Sequence, residues 1–181
     1  MRSNRKKIII RSKFRMIIEW VICFAIAIAI AIATLINKFL IFKVSVPTGS
    51  MIPTINVGDQ LFVSKIYNFD NIKRGDILVF ESREKSTTLI KRLIGLPGDI
   101  IDIKSGLVYI NGEELQEDYV KNNDDFSGEF IVPEGKYFFL GDNRRVSDDA
   151  RLWKNHYINE EDISAKAQIR VYPFSDFGFV E

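Results

Sequence analysis

The stretch "TTLIKRLIGLPGDIIDIKSGLVYING", residues 87–112, decides how the chain folds. Three runs within it, "TTLIKRLIG" (87–95), "DIIDI" (99–103) and "LVYI" (107–110), are rich in β-branched and aliphatic residues and bounded by turn formers. They read as strands. "IKSGL" and "YINGEE" supply tight turns, the second through Asn111-Gly112, a dipeptide favoured in two-residue hairpins. The pattern continues outward in "DQLFVSK" (59–65), "DILVF" (76–80), "KYFFL" (136–140) and "AQIRVYPF" (167–174). No clear helical period lies between these runs, so the region reads as mostly β: a coiled, antiparallel, barrel-like domain. Its roughly 140 residues suffice to bury a core. "QEDYVKNNDDFSGEF" (116–130) reads as an acidic surface loop without the glycine and terminal glutamate of a calcium loop, and "NEEDISAK" (159–166) as a short helix start or extended loop.

The N-terminal part obeys a different rule. "MIIEWVICFAIAIAIAIATLI" (16–36) carries one charge, Glu19, at its beginning. A helix of about 20 apolar residues crosses a hydrocarbon core of about 30 Å, and a core helix is seldom apolar on every face. The run also exceeds the roughly 7 to 15 residues of a cleaved secretory signal, which favours an uncleaved signal anchor. Arg2, Arg5, Lys6, Lys7, Arg11, Lys13 and Arg15 precede it with no acid among them, although the whole chain is balanced at 25 basic and 24 acidic residues. That asymmetry predicts the N-terminus inside and the remainder outside. Glu19 is expected to snorkel to the inner interface. "FLIF" (39–42) followed by Lys43 suits either the lipid interface or a first strand.

The single cysteine, Cys23, falls within the span, so no internal disulfide is possible. There are no repeats, no zinc-type spacing and no glycine-rich phosphate cradle. No metal, organic cofactor or nucleic acid is therefore expected.

Three turn-rich segments can display reactive groups: "VPTGSMIPTINVGD" (46–59), the stretch containing Lys91, and "GDNRRVSDDARLW" (141–153). A serine hydroxyl needs a partner that removes its proton. The only histidine, His156, is one candidate base; a neutral lysine is the other, as in Ser-Lys variants of the triad. With a pKa near 10.4, a lysine at pH 7.5 is neutral only about once in a thousand. Burial can lower that pKa by up to about 3 to 5 units. Lys91 has apolar neighbours in sequence, but Ile90 and Leu93 cannot both share its face of a strand. The apolar wall around it must come largely from other strands.

These segments, in this order behind an anchor, resemble the bacterial type I signal peptidases, membrane-anchored Ser/Lys endopeptidases, in their short Gram-positive-like form. "SMIPTINVGD" is similar to the nucleophile segment, "RGDILVF" (74–80) to the next, "KRLIGLPGD" (91–99) to the segment opening on the general base, and "GDNRRVSDDAR" (141–151) to the last. The resemblance implies Ser50 as nucleophile and Lys91 as base. It implies an oxyanion hole from the Ser50 N–H and the Thr48 hydroxyl, and Ser147 orienting the lysine amine. Asp149 with Arg151, and Asp142 with Arg92, would be supporting pairs. The chain departs from the family at Ala150, where serine is frequent, and at Lys154, near a common glycine. The related endoplasmic-reticulum enzymes carry histidine where this chain has Lys91.

On that reading the chain has three parts: a basic cytoplasmic N-terminus (1–15), a transmembrane signal-anchor helix (16–36) and an extracytoplasmic β-rich catalytic domain (37–181). Its substrates are membrane-tethered secretory preproteins, cut after small residues at the first and third positions before the bond. Pockets around Ile52 and the strand before Lys91 would receive them. The lipid bilayer and the vicinity of the secretion translocon are its expected surroundings. Two rivals remain: a self-cleaving Ser/Lys regulator, disfavoured by the membrane span, and a catalytically silent anchored β-domain, disfavoured by Ser50, Lys91 and Ser147 together.

Overall fold

The computed structural model describes residues 2–180 and divides into two units after Leu40. The first is a single helix, α1 (Arg2–Phe39), so the basic segment continues directly into the apolar one. Its stretch Arg15–Ile36 is long and apolar enough to cross a membrane, at about 33 Å for 22 residues. Glu19 accepts from the Arg15 guanidinium one helical turn away, at 3.0 Å, which offsets the charge at the end of the apolar run.

The second unit consists of two antiparallel sheets. β1 (Ile41–Ser45) pairs with β2 (Gln60–Lys65), and a β-hairpin joins β3 (Ile77–Ser82) to β4 (Thr87–Gly95). β5 (Ile100–Lys104), β6 (Leu107–Ile110) and the two-residue β7 (Glu113–Glu114) follow, then β8 (Gly128–Ile131), β9 (Lys136–Leu140) and β10 (Ile158–Asn159). β11 (Ile163–Tyr172) and β12 (Gly178–Phe179) complete the chain. The larger sheet runs β1-β2-β11-β3-β4-β9-β10, with β12 added to β11; the smaller runs β7-β6-β5-β8. Ser105-Gly106 and Asn111-Gly112 turn the chain with positive φ at both residues, which is why these short dipeptides close the β5–β6 and β6–β7 hairpins.

The seven runs assigned from sequence are all strands here, with boundaries moved by up to four residues at one end. The expected surface loop 116–130 is corrected at its end: residues 128–131 form β8 against β5, with Phe130 in the main core. Its polar flanks conceal a strand that only pairing reveals. Glu160–Asp162 is a single 3-10 turn, and Ile163 already begins β11. Ile41 and Phe42 belong to the first strand.

β3 separates two cores. Leu78 and Phe80 point into the larger cluster with Leu93, Ile101, Phe130 and Phe138, while Ile77 and Val79 point into a second cluster with Met51, Ile55, Leu61 and Ala165. A strand buried on both faces reads as a continuous apolar run, as "ILVF" does. The two sheets meet closely at Gly95. A methyl group there would lie 2.4 Å from Ile101 Cδ1 and 2.9 Å from Val132 Cγ2. Gly95→Ala is therefore expected to lower unfolding free energy by about 1–3 kcal/mol, the usual cost of overpacking, as measured by denaturant titration of the β-unit.

Candidate active site

Ser50 lies in the long connection between β1 and β2. The neck of that loop is closed by backbone bonds from Val46 N–H to the Asp59 carbonyl (3.0 Å) and from Gly58 N–H to the Val46 carbonyl (2.8 Å). Met51 and Ile55, both fully buried, anchor it in the second core. Asn143 fixes it from the other side: its backbone N–H donates to the Ser50 carbonyl (3.0 Å) and its side-chain amide to the Gly49 carbonyl (2.9 Å).

Lys91 sits mid-way along β4, directly opposite Leu78 of β3. Opposed residues share a face, so the amine stem stands among Leu78, Leu89 and Leu93, on the side of the larger core. The wall is thus part cross-strand and part from alternate residues of β4 itself, with Ile90 on the opposite face. The side chain is 3% exposed and its Nζ lies 2.5 Å from Ser50 Oγ, itself 8% exposed. Burial pushes the Lys91 pKa down from 10.5 to about 8, against the opposing pull of Asp149, Asp148 and Asp142. At pH 7.5 roughly a quarter of such amines are neutral, about two hundred times the fraction for a solvated lysine.

The 141–151 segment wraps this pair. A methyl on Gly141 would lie 2.2 Å from Ser147 Oγ and 2.5 Å from the Ser50 carbonyl oxygen, so only glycine lets the three strands of chain converge. Ser147 is buried, and its hydroxyl has no hydrogen-bond partner among the described residues. Lys91 bonds to Ser50 and makes no described bond to Ser147. Thr48 is exposed and lines the same 450 Å³ cleft as Ser50 and Lys91. Arg92 grips Asp142 with two nearly parallel bonds, Nε to Oδ1 at 2.9 Å and Nη2 to Oδ2 at 2.7 Å, while Thr54 donates to the same carboxylate at 2.5 Å. Arg151 grips Asp149 similarly at 2.8 and 2.9 Å, and Asp149 also accepts the Gly141 N–H at 3.0 Å.

Several residues of the site escape sequence reasoning. Arg144, buried, pairs with Glu117 and donates to the Gly141 carbonyl at 3.1 Å. Tyr119 stacks on the Arg92 guanidinium at 3.9 Å, Asn122 donates to Asn143 at 2.6 Å, and Asp124 accepts from Arg151 at 2.5 Å. The acidic 117–124 stretch is therefore a strap bound to the site's arginines. The available signal was complementarity: one acidic segment, and arginines clustered in "GDNRRVSDDAR". His156 instead donates through Nδ1 to the Ala150 carbonyl (2.6 Å) and packs edge-on against Phe130. Ala150 places its methyl in the core and its N–H on the Phe139 carbonyl, so serine's hydroxyl is not needed for burial there. Ile52 packs over Gly49 rather than into the groove before Lys91.

A family model described as signal peptidase, peptidase S26, matches residues 17–172. The chain belongs to the signal peptidase S26 family. It is 39% identical to signal peptidase I P of Bacillus subtilis subsp. natto, over 88% of this chain and 91% of that one. It is 38% identical to a signal peptidase I of Bacillus licheniformis, over 91% and 94%. It is also 33% identical to signal peptidase IB of Staphylococcus aureus strain COL, over 89% and 92%. As a member of a serine peptidase family, the chain is read as a hydrolase, with the match spanning the apolar helix and nearly all of the β-unit.

A buried amine of low pKa also leaves a trace in stability. Between about pH 8 and 10.5 the unfolded chain holds the Lys91 proton that the folded chain has released. Folded-state stability attributable to Lys91 therefore rises with pH across that window. Lys91→Met removes the effect. Wild type is expected to gain on Lys91→Met by up to about 1.4 kcal/mol per pH unit there, measured by paired denaturation curves at pH 7, 8.5 and 10.

Proposed function

We propose that the chain is a membrane-anchored endopeptidase that removes signal peptides from exported preproteins, with Ser50 as nucleophile and Lys91 as general base. The contact that carries this reading is the 2.5 Å separation of Ser50 Oγ and a lysine amine shielded from water. Neutral Lys91 takes the hydroxyl proton as Oγ attacks the scissile carbonyl. The oxyanion is held by the Ser50 N–H and the Thr48 hydroxyl, donors of a kind worth roughly 3 to 4 kcal/mol each. Lys91, now an ammonium, protonates the departing amine. It then activates the water that hydrolyses the acyl-enzyme. Ser147, with its unpaired buried hydroxyl, accepts from the ammonium and aims it between steps.

The residues before the cut lie extended in a groove of about 620 Å³ between β1 and β4, lined by Val44, Val46, Thr88 and Ile90 among others. Small side chains at the first and third positions before the cut are expected to seat against these aliphatic residues. The basic N-terminal cluster sets the anchor with its N-terminus in the cytoplasm and the β-unit outside. The boundaries 1–15, 16–36 and 37–181 follow from that topology. Because β1 begins two residues after α1 ends, the tether is short. Confining enzyme and tethered substrate to one surface, near the secretion translocon, raises their effective concentration without any further contact.

Incubating the detergent-solubilised chain with a purified preprotein, and reading the products by mass, tests the assignment. Cleavage at the signal junction is expected, with Ser50→Ala and Lys91→Ala each losing it while circular dichroism stays native. Near-wild-type cleavage by Lys91→Ala would remove lysine as the base. The pH profile provides an independent check. kcat/KM should climb with an apparent pKa near 8, not near 10.5, since only the neutral amine of the free enzyme can accept the proton.

A further inference from the structure

The reaction itself assigns sides to the site. Lys91 must hand its proton to the nitrogen of the departing amine, so that nitrogen and the residues following it have to pass on the Lys91 side of Ser50. Two clefts meet at Leu89. The 620 Å³ groove borders β1 and does not include Lys91; the 450 Å³ cleft does, together with Ser50, Thr87, Val146 and Trp153. The second cleft is thus the passage for the chain beyond the scissile bond.

Two charged side chains line that passage from separate segments. Lys85 comes from the turn between β3 and β4, Asp148 from the 141–151 segment, and the two pair at 2.8 Å while staying 37% and 61% exposed. Lys85 is not there by the drift of a loose turn. Its neighbour Glu84 accepts the backbone N–H groups of Lys154 (3.3 Å) and Asn155 (2.9 Å), and Arg83 pairs with Asp162 at 2.8 Å and with Glu161. The Lys85 N–H also donates to Ser82 Oγ at 3.3 Å. The tip of the hairpin is tied down on both sides of the lysine. A pair so placed, and this accessible, can exchange partners with a charged side chain that enters the cleft.

We infer that Lys85 and Asp148 form a charge filter for the first residues after the cleavage site, balanced so that the mature end of a preprotein is tolerated with either sign. The inference deepens the signal-peptidase reading and rests on it. Neutralising one member leaves the other to select: Asp148→Asn exposes a lone cation that favours acidic residues, and Lys85→Met a lone carboxylate that favours basic ones.

The test uses the full chain in detergent micelles and one preprotein whose first three residues after the cut carry Ala, Asp or Lys. A second set places the same charges at the fifth residue before the cut. The quantity read is the ratio of kcat/KM for the Asp substrate to that for the Lys substrate. A general defect moves both substrates together and cancels in this ratio. Relative to wild type, Asp148→Asn should raise it about fivefold and Lys85→Met lower it about fivefold, the size of a half-exposed charge contact. The ratio for charges before the cut should not respond. A ratio constant within twofold across the three enzymes, or moving the same way in both variants, overturns the filter. A response confined to charges before the cut overturns the assignment of sides. A variant that cleaves no substrate also counts against the inference, because the pair lies outside the Ser50–Lys91 bond. If wild type cleaves none of the preproteins, the signal-peptidase reading itself falls, and the filter with it.

Discussion

One constraint governs this molecule: an amine must be kept beside a hydroxyl with almost no water around it. Holding a charged lysine in such a place costs several kcal/mol, and the fold responds by letting Lys91 shed its proton near pH 8. Burial achieves that against three carboxylates, Asp142, Asp148 and Asp149, which all pull the lysine back toward its charged form. Each of the three has its own cation: Arg92, Lys85 and Arg151 respectively. Of these cations, Arg151 works with burial to lower the Lys91 pKa, while its partner Asp149 also holds the Gly141 N–H. The Arg151–Asp149 pair thus bears on the pKa of the amine as well as on the scaffold around it.

The arginines in turn depend on a segment that never approaches the reacting atoms. Arg144 meets Glu117, Arg92 lies on Tyr119, and Arg151 reaches Asp124. Breaking a buried ion pair by removing one partner typically costs about 3–5 kcal/mol, since the other charge is stranded. The strap at 117–124 thereby holds the 141–151 segment from outside, and that segment holds Ser50 through Asn143. Position is transmitted through three layers of polar contact, each buried or half-buried, from an acidic surface stretch to Ser50.

Local pattern was enough to read seven of the strands and the apolar helix, because each carries its own period or its own unbroken hydrophobicity. β8 was missed because Phe130 is the only buried residue of its four, with Ile131 exposed, and the residues before it look like loop. β10 and β12, two residues each, carry no period at all. The site divides the same way. Ser50 and Lys91 were legible as motif positions, yet the surroundings that alter the lysine were not: Leu78 stands 13 positions earlier and becomes its neighbour only through the β3–β4 register. The strap was illegible for a similar reason. A run of acids and amides has the composition of solvated chain, and nothing local marks which arginines it will meet.

That non-local origin bears on why a lysine serves here at all. A histidine, with an unperturbed pKa near 6.5, is already largely neutral at pH 7 without burial, so a histidine-based site does not need such an enclosure. On the proposed reading, Lys91 can serve as a base only while Leu78, Leu89 and Leu93 keep its amine from water. The low pKa of Lys91 is thus a property of the whole sheet junction, not of two side chains. The same fact weighs against a silent binding domain on this scaffold. A buried lysine with a depressed pKa destabilises the fold at neutral pH, as does any polar group held in place for chemistry, and such strain is retained where activity requires it. Burying Nζ against a serine hydroxyl is poor design for a β-domain that only has to persist, and sound design for one that has to remove a proton.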